Sequence, residues 1–138
     1  MPASPQAASS AILERDGRFL LIRRINPPSA DLFAFPGGRA EPGETPAETA
    51  LREFAEETGI TVRNPLLFAT YDLSGDGDDD RHFFLSVFNV EADPEPQAIA
   101  ADDAAEAGWY TVDEIRALPV PPSVLHCAER LAAIRNGG

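Results

Sequence analysis

An α/β class follows from two features of the sequence. Apolar runs rich in Val, Leu, Ile and Phe (SSAILERDGRFLLIRR, LFAF, ITVRNPLLFATYDL and HFFLSVFNVE) alternate with segments of helical periodicity near the middle and at the end of the chain. The length, 138 residues, suits one domain around a single core over residues 1–138, with no room for a second functional domain.

Residues 1–8 form a small, Pro- and Ala-rich stretch that reads as a flexible tail. From Ser9, two apolar runs flank Asp16-Gly17, a strong hairpin signal. Arg23 and Arg24 end the second run, ahead of the Pro-rich loop INPPSADL. Arginines at a strand end usually face solvent; the alternative partner is a phosphate, which the guanidinium fork matches, and Arg24 is taken as the candidate. Leu32–Phe35 reads as a short strand feeding Pro36-Gly37-Gly38, with Gly37 at the entrance to the candidate site. Arg39 is placed either on phosphate or against Glu41.

The sequence predicts a helix over Thr45–Thr58, rich in Ala, Leu, Glu and Arg with Pro46 confined to the first turn. Thr45 is the expected N-cap, Glu48 completes a capping box, and Gly59 is the stop. Ala47, Ala50, Leu51, Phe54 and Thr58 fall on one stripe for docking on a sheet. Beyond Gly59, one or two strands turn at Asn64-Pro65 before the strand HFFLSVFNVE. Between them, residues 74–81 (SGDGDDDR) lack the Gly and Glu placements of a calcium loop and read as a hairpin tip. His82 is assigned no role. After the loop ADPEPQAIA, Trp109 is expected to anchor the core and Val112–Leu118 to form a short helix. Pro121-Pro122 precede Ser123 as the cap of a last helix, whose His126 and Cys127 are read as ordinary packing.

A net charge of −12 and a pI near 4.4 argue against binding a nucleic-acid backbone and suit a protein that concentrates divalent cations. Cys127 alone permits no internal disulfide, and no zinc-site spacing is present. With neither a signal-peptide pattern nor a long apolar run, the expectation is a soluble, cytoplasmic protein without a membrane partner.

The densest signal lies in 38–60, GRAEPGETPAETALREFAEETGI: Gly38, Glu44, Arg52-Glu53, Glu56-Glu57 and Gly59 at fixed offsets. Seven such identities arise by chance with a probability on the order of 10⁻⁷ to 10⁻⁶. Glu53, Glu56 and Glu57 stand at i, i+3 and i+4, so three carboxylates are expected on one patch of the helix, away from its docking stripe. Like charges so placed repel, and the chain has no lysine to offset them. A solvated acidic face is the plain reading of three glutamates alone; a divalent cation would remove the repulsion, and an all-oxygen set suits Mg²⁺ or Mn²⁺.

This stretch resembles the Nudix box, the signature of hydrolases that act on a nucleoside diphosphate linked to another group. It departs only at Phe54, where that family usually has Ile, Leu or Val. The resemblance implies an α/β/α sandwich, a mixed sheet between the box helix and the C-terminal helix. It also implies that Gly38, Glu53, Glu56 and Glu57 hold the metals, with Mg²⁺ as cofactor and Mn²⁺ as a possible substitute. Gly38 would allow a tight strand-to-helix loop, Arg52 would orient Glu53, Glu44 would close the loop on the helix, and a carboxylate from a later loop, Asp103, would complete the site or serve as base. The sequences flanking the box are similar to the short ADP-ribose pyrophosphatase branch, implying a small nucleotide substrate, ADP-ribose split to AMP and ribose 5-phosphate. A nucleoside triphosphate pyrophosphohydrolase is the alternative, and a non-catalytic nucleotide sensor a third reading. Monomer and homodimer both remain open.

Overall fold

The computed structural model describes residues 6–25, 31–74, 82–93 and 104–137. In chain order its elements are β1 (Gln6–Ile12), β2 (Glu14–Arg15), β3 (Arg18–Arg24), β4 (Phe33–Ala34), β5 (Gly37–Arg39), α1 (Pro46–Thr58), β6 (Arg63–Ser74), β7 (His82–Glu91), β8 (Ala104–Thr111), α2 (Val112–Arg116) and α3 (Pro122–Gly137). One sheet runs β5-β1-β7-β6, with β1 parallel to β7 and its other pairs antiparallel. The second joins β2, β3 and β4, and β8 lies antiparallel to β3.

The alternation of side chains along each strand explains the layers. On one face, Ala11, Leu13, Leu20, Phe88 and Val90 pack with Ala50 and Phe54 of α1. On the other, Ile12, Phe19, Leu21 and Val87 pack with Ile115 of α2 and with Val124, Cys127 and Ala128 of α3. The two sheets thus lie between α1 and α3, the expected sandwich. The single sheet of the sequence reading is divided, because the chain leaves β1 at Leu13 and forms only a two-residue ladder, β2 with β3, around the Asp16-Gly17 turn.

Helix α1 has the predicted limits. Thr45 Oγ1 accepts from the Glu48 N–H, the Glu48 carboxylate accepts from the Thr45 N–H, and Gly59 ends the helix at φ 75°. Its buried face is wider than the predicted stripe and includes Thr49 and Glu57.

Four expectations are corrected. The tail is shorter than residues 1–8, because Gln6, Ala7 and Ala8 already pair with β7. Residues 37–39 are a strand against β1 rather than a loop. Residues 63–74 form the first of the two alternatives, a single strand, but without the expected turn: it passes Asn64-Pro65 with a register shift, where Asn64 takes φ 57°, a conformation asparagine tolerates, and its side chain donates to Glu91. Helix α3 starts at Pro122, so Ser123 lies in its first turn and the Pro121 carbonyl accepts from the Val124 N–H. Residues 1–5, 26–30, 75–81 and 94–103 lie outside the described residues, and with them the acidic tip, Asp102 and Asp103.

Phe54, fully buried between α1 and the sheets, is the largest apolar contribution of this helix to the core. Phe54→Ala is expected to destabilise the fold by about 3–5 kcal/mol in urea denaturation; a loss below about 1 kcal/mol would mean that α1 is held in place by other contacts.

Candidate active site

The site is built where α1 crosses β5. Glu57, two residues before the helix C-cap, is 1% exposed, and its Oε1 accepts from the Gly37 N–H at 2.7 Å. The expectation of an exposed face for Glu57 is therefore corrected: at that turn of the helix the side chain points into the sheet interface, where a strand amide receives it. Across from it, Arg24 places Nη1 3.8 Å from Glu57 Oε2. Arg24 is held there at the end of β3, where its backbone bonds Leu32 and Asp31. The neighbouring Arg23 turns away to Asp31 and Glu106.

One turn earlier, Glu53 lies against Gly38. A Cβ at Gly38 would come within 2.6 Å of the Glu53 Cδ and Oε2, so glycine there leaves room for the carboxylate itself. Gly37 is tight for a different reason, since a Cβ would meet the Ser9 carbonyl oxygen at 2.4 Å and the Ser10 Cα at 2.7 Å.

Arg52 ties the box together. Its Nε donates to Glu44 Oε2 at 2.6 Å, Nη2 donates to Glu44 Oε1 at 3.0 Å and to the Arg39 carbonyl at 3.1 Å, and Nη1 donates to Glu53 at 2.8 Å and Glu56 at 3.2 Å. Glu44 also accepts from the Glu41 N–H at 2.9 Å and from the Thr49 hydroxyl at 2.8 Å, which closes the loop between β5 and α1 onto the helix. Thr49, fully buried, is missed by the sequence reading, because on the helical wheel it lies on the side away from the predicted docking stripe. The Arg52 hydrogen bond, reinforced by the Glu41 amide, holds the Glu44 carboxyl down at about 2, and Glu44, with Glu53 and Glu56, pushes the Arg52 guanidinium up.

The three box carboxylates lie at different depths. Glu57 is buried, the Glu53 side chain is 16% exposed and Glu56 43% exposed. Arg52 bonds both Glu53 and Glu56, and among the described residues no three His, Cys, Asp or Glu side chains are gathered closely enough to hold a metal ion. The donor set is nevertheless all oxygen, and the Gly38 cradle brings a carboxylate onto bare backbone, both of which fit a hard divalent cation. The Arg39 guanidinium lies 5.3 Å from the centroid of the Phe83 ring, and among the described residues no ion pair joins it to Glu41.

This combination of sandwich, glycine cradle and arginine-tied glutamates is that of a Nudix domain. Residues 3–130 match the model of that domain, and the chain belongs to the Nudix hydrolase family. It is 37% identical over 111 residues to an ADP-ribose pyrophosphatase of Methanocaldococcus jannaschii, an alignment covering 80% of this chain and 64% of that relative. It is 29% identical over 128 residues to a CTP pyrophosphohydrolase of Escherichia coli, with 91% and 90% of the two chains covered. The crystal structure of a MutT NUDIX hydrolase from Burkholderia pseudomallei superimposes with a TM-score of 0.81 at 28% identity, over 94% of this chain and 99% of that one. Among the described residues, no helix is long and apolar enough to cross a membrane.

Two outcomes follow from this geometry. Gly38→Ala is expected to fold with nearly unchanged urea stability while displacing Glu53, so that activity falls far more than stability, whereas Gly37→Ala meets strand backbone and is expected to destabilise the fold; equal stability losses would contradict the assignment. Because the folded-state value of Glu44 lies below its unfolded value of 4.5, its contribution to stability is present above that value and is lost as pH falls toward about 2. Urea midpoints of Glu44→Gln are therefore expected to vary less than wild type between pH 4.5 and about 2, and parallel curves would rule this out.

Proposed function

We propose that this chain hydrolyses the pyrophosphate bond of a nucleoside diphosphate derivative, with ADP-ribose, split to AMP and ribose 5-phosphate, as substrate. The observation that carries the reaction type is the placement of Glu53 and Glu57 against Gly38 and Gly37, with Arg52 fixing Glu53. The substrate rests on the 37% identical relative named ADP-ribose pyrophosphatase and on the flanking segments NPPSADLFAFPGG and DDAAEAGWYTVDEI.

Nudix hydrolases generally use divalent metal ions, and here Glu53, Glu56, Glu57 and the Gly38 backbone are the groups that would hold them, as Mg²⁺ or Mn²⁺. When bound, such an ion neutralises phosphoryl oxygens and lowers the pKa of a water. The chain supplies the rest. Glu53 is the group assigned to take the proton of the attacking water, and in the metal-free protein its bond to Arg52 holds it at the site. The Gly37 amide fixes one oxygen of Glu57, leaving the other toward Arg24. Arg24, whose Glu57 contact is long at 3.8 Å, is free to turn its fork to a substrate phosphate, and Arg39 stands beyond it at the strand edge. Glu44 positions Arg52 rather than touching substrate. Asp103 stays a candidate base from outside the described residues.

A nucleoside triphosphate substrate is the second reading, favoured by the near full-length match to the CTP pyrophosphohydrolase. Hydrolysis of ADP-ribose, dinucleotides and nucleoside triphosphates with Mg²⁺ and Mn²⁺, products resolved by chromatography, separates the two. AMP with ribose 5-phosphate is expected; a monophosphate with inorganic pyrophosphate as the dominant products would overturn the ADP-ribose assignment. Glu53→Gln is expected to lower kcat by about 10²-fold or more with its fold retained by circular dichroism. Activity near wild type would remove Glu53 from the reaction.

A further inference from the structure

Ser9 lies in β1 at 1% exposure, and its Oγ is the buried side-chain polar atom left without a hydrogen-bond partner among the described residues. Buried hydroxyls are ordinarily paired, so an orphan calls for a reason. An alanine would occupy the same space without burying an unpaired group.

The strand pairing says what the hydroxyl faces. Ser9 shares its side of β1 with Ala11 and Leu13, which pack in the α1 core. It stands directly opposite Gly38 in the β1–β5 pair. Side chains of directly opposed residues leave the same face of a sheet, with Cβ positions about 5 Å apart. The Cβ position at Gly38 is the spot 2.6 Å from the Glu53 carboxylate. Ser9 and Glu53 therefore converge on the same small space between β5 and α1, into which Gly38 puts no side chain of its own. In the present arrangement Glu53 Oε1 is drawn to Arg52.

We propose that Ser9 is a positioning residue for Glu53: when the carboxylate exchanges Arg52 for a divalent cation, the Ser9 hydroxyl donates to it and holds it in the cation-binding orientation. The proposal rests on the cation-dependent reading above. A donor behind a ligating carboxylate fixes its rotamer without contacting the ion, and loss of such a partner typically weakens metal affinity by about 10- to 100-fold. The orphan hydroxyl is then a group satisfied only in the loaded state.

Mn²⁺ binding without substrate, followed by the electron paramagnetic resonance of free Mn²⁺, tests this on wild type, Ser9→Ala and Ser9→Thr, alongside the Tm of each metal-free protein. Ser9→Ala is expected to bind Mn²⁺ about 10- to 100-fold more weakly. Its metal-free Tm should be unchanged or higher, since the variant deletes an unpaired buried group. Ser9→Thr, which restores the donor, should recover most of the affinity. Ser9→Cys, close in volume and a weak donor, replaces it if the extra methyl prevents folding. Ser9→Ala affinity within about threefold of wild type would overturn the proposal, as would a weakened affinity accompanied by a lower metal-free Tm. Failure of wild type to bind Mn²⁺ would overturn the cation reading itself, and this inference with it.

Discussion

A single guanidinium holds this site in register. Arg52 links the loop after β5, through Glu44 and the Arg39 carbonyl, to the helix carboxylates Glu53 and Glu56. Without it, an acidic helix in a chain carrying a net charge of −12 would present its glutamates to one another with no compensating lysine. Isolated surface ion pairs contribute little, but this one is a network with a side chain mostly removed from solvent, and each bond fixes a different segment. Loop closure, helix docking and carboxylate orientation are consequences of the same five donors.

Two kinds of glycine complete the arrangement. Gly37 lets β5 approach β1 closely enough to turn its amide onto Glu57, while Gly38 cedes its side-chain volume to Glu53. The adjacent positions look alike in sequence, yet one serves the strand and the other serves the carboxylate.

What could be read from the sequence was local. The limits of α1 follow from Thr45, Glu48 and Gly59, each acting within a turn of itself, and the Asp16-Gly17 turn likewise. What could not be read depends on partners distant in the chain. GGR has no strand propensity, and only β1 makes a strand of it. AAEAGWYT, rich in alanine, becomes a strand by pairing with β3. The burial of Glu57 was hidden because a helical wheel gives angles between side chains and not the depth at which a neighbouring strand crosses. The division into two sheets turns on Leu13, where nothing in the residue type marks the change of partner. The box identities were legible; whether each carboxylate faces water or backbone was not.

The parallel pairing of β1 with β7 sets an order of events. Gln6–Ile12 aligns with Phe83–Asn89, 77 residues further along the chain, and such pairings must close a long loop before any contact rewards the loss of freedom. During synthesis β1 emerges first, can engage β5 soon afterwards, and then keeps its other edge open until β7 leaves the ribosome. For that interval the strand carrying Ser9 and backing the glycine cradle is an unprotected edge with apolar neighbours at 11–13, the segment on which a chaperone or a misplaced strand would act.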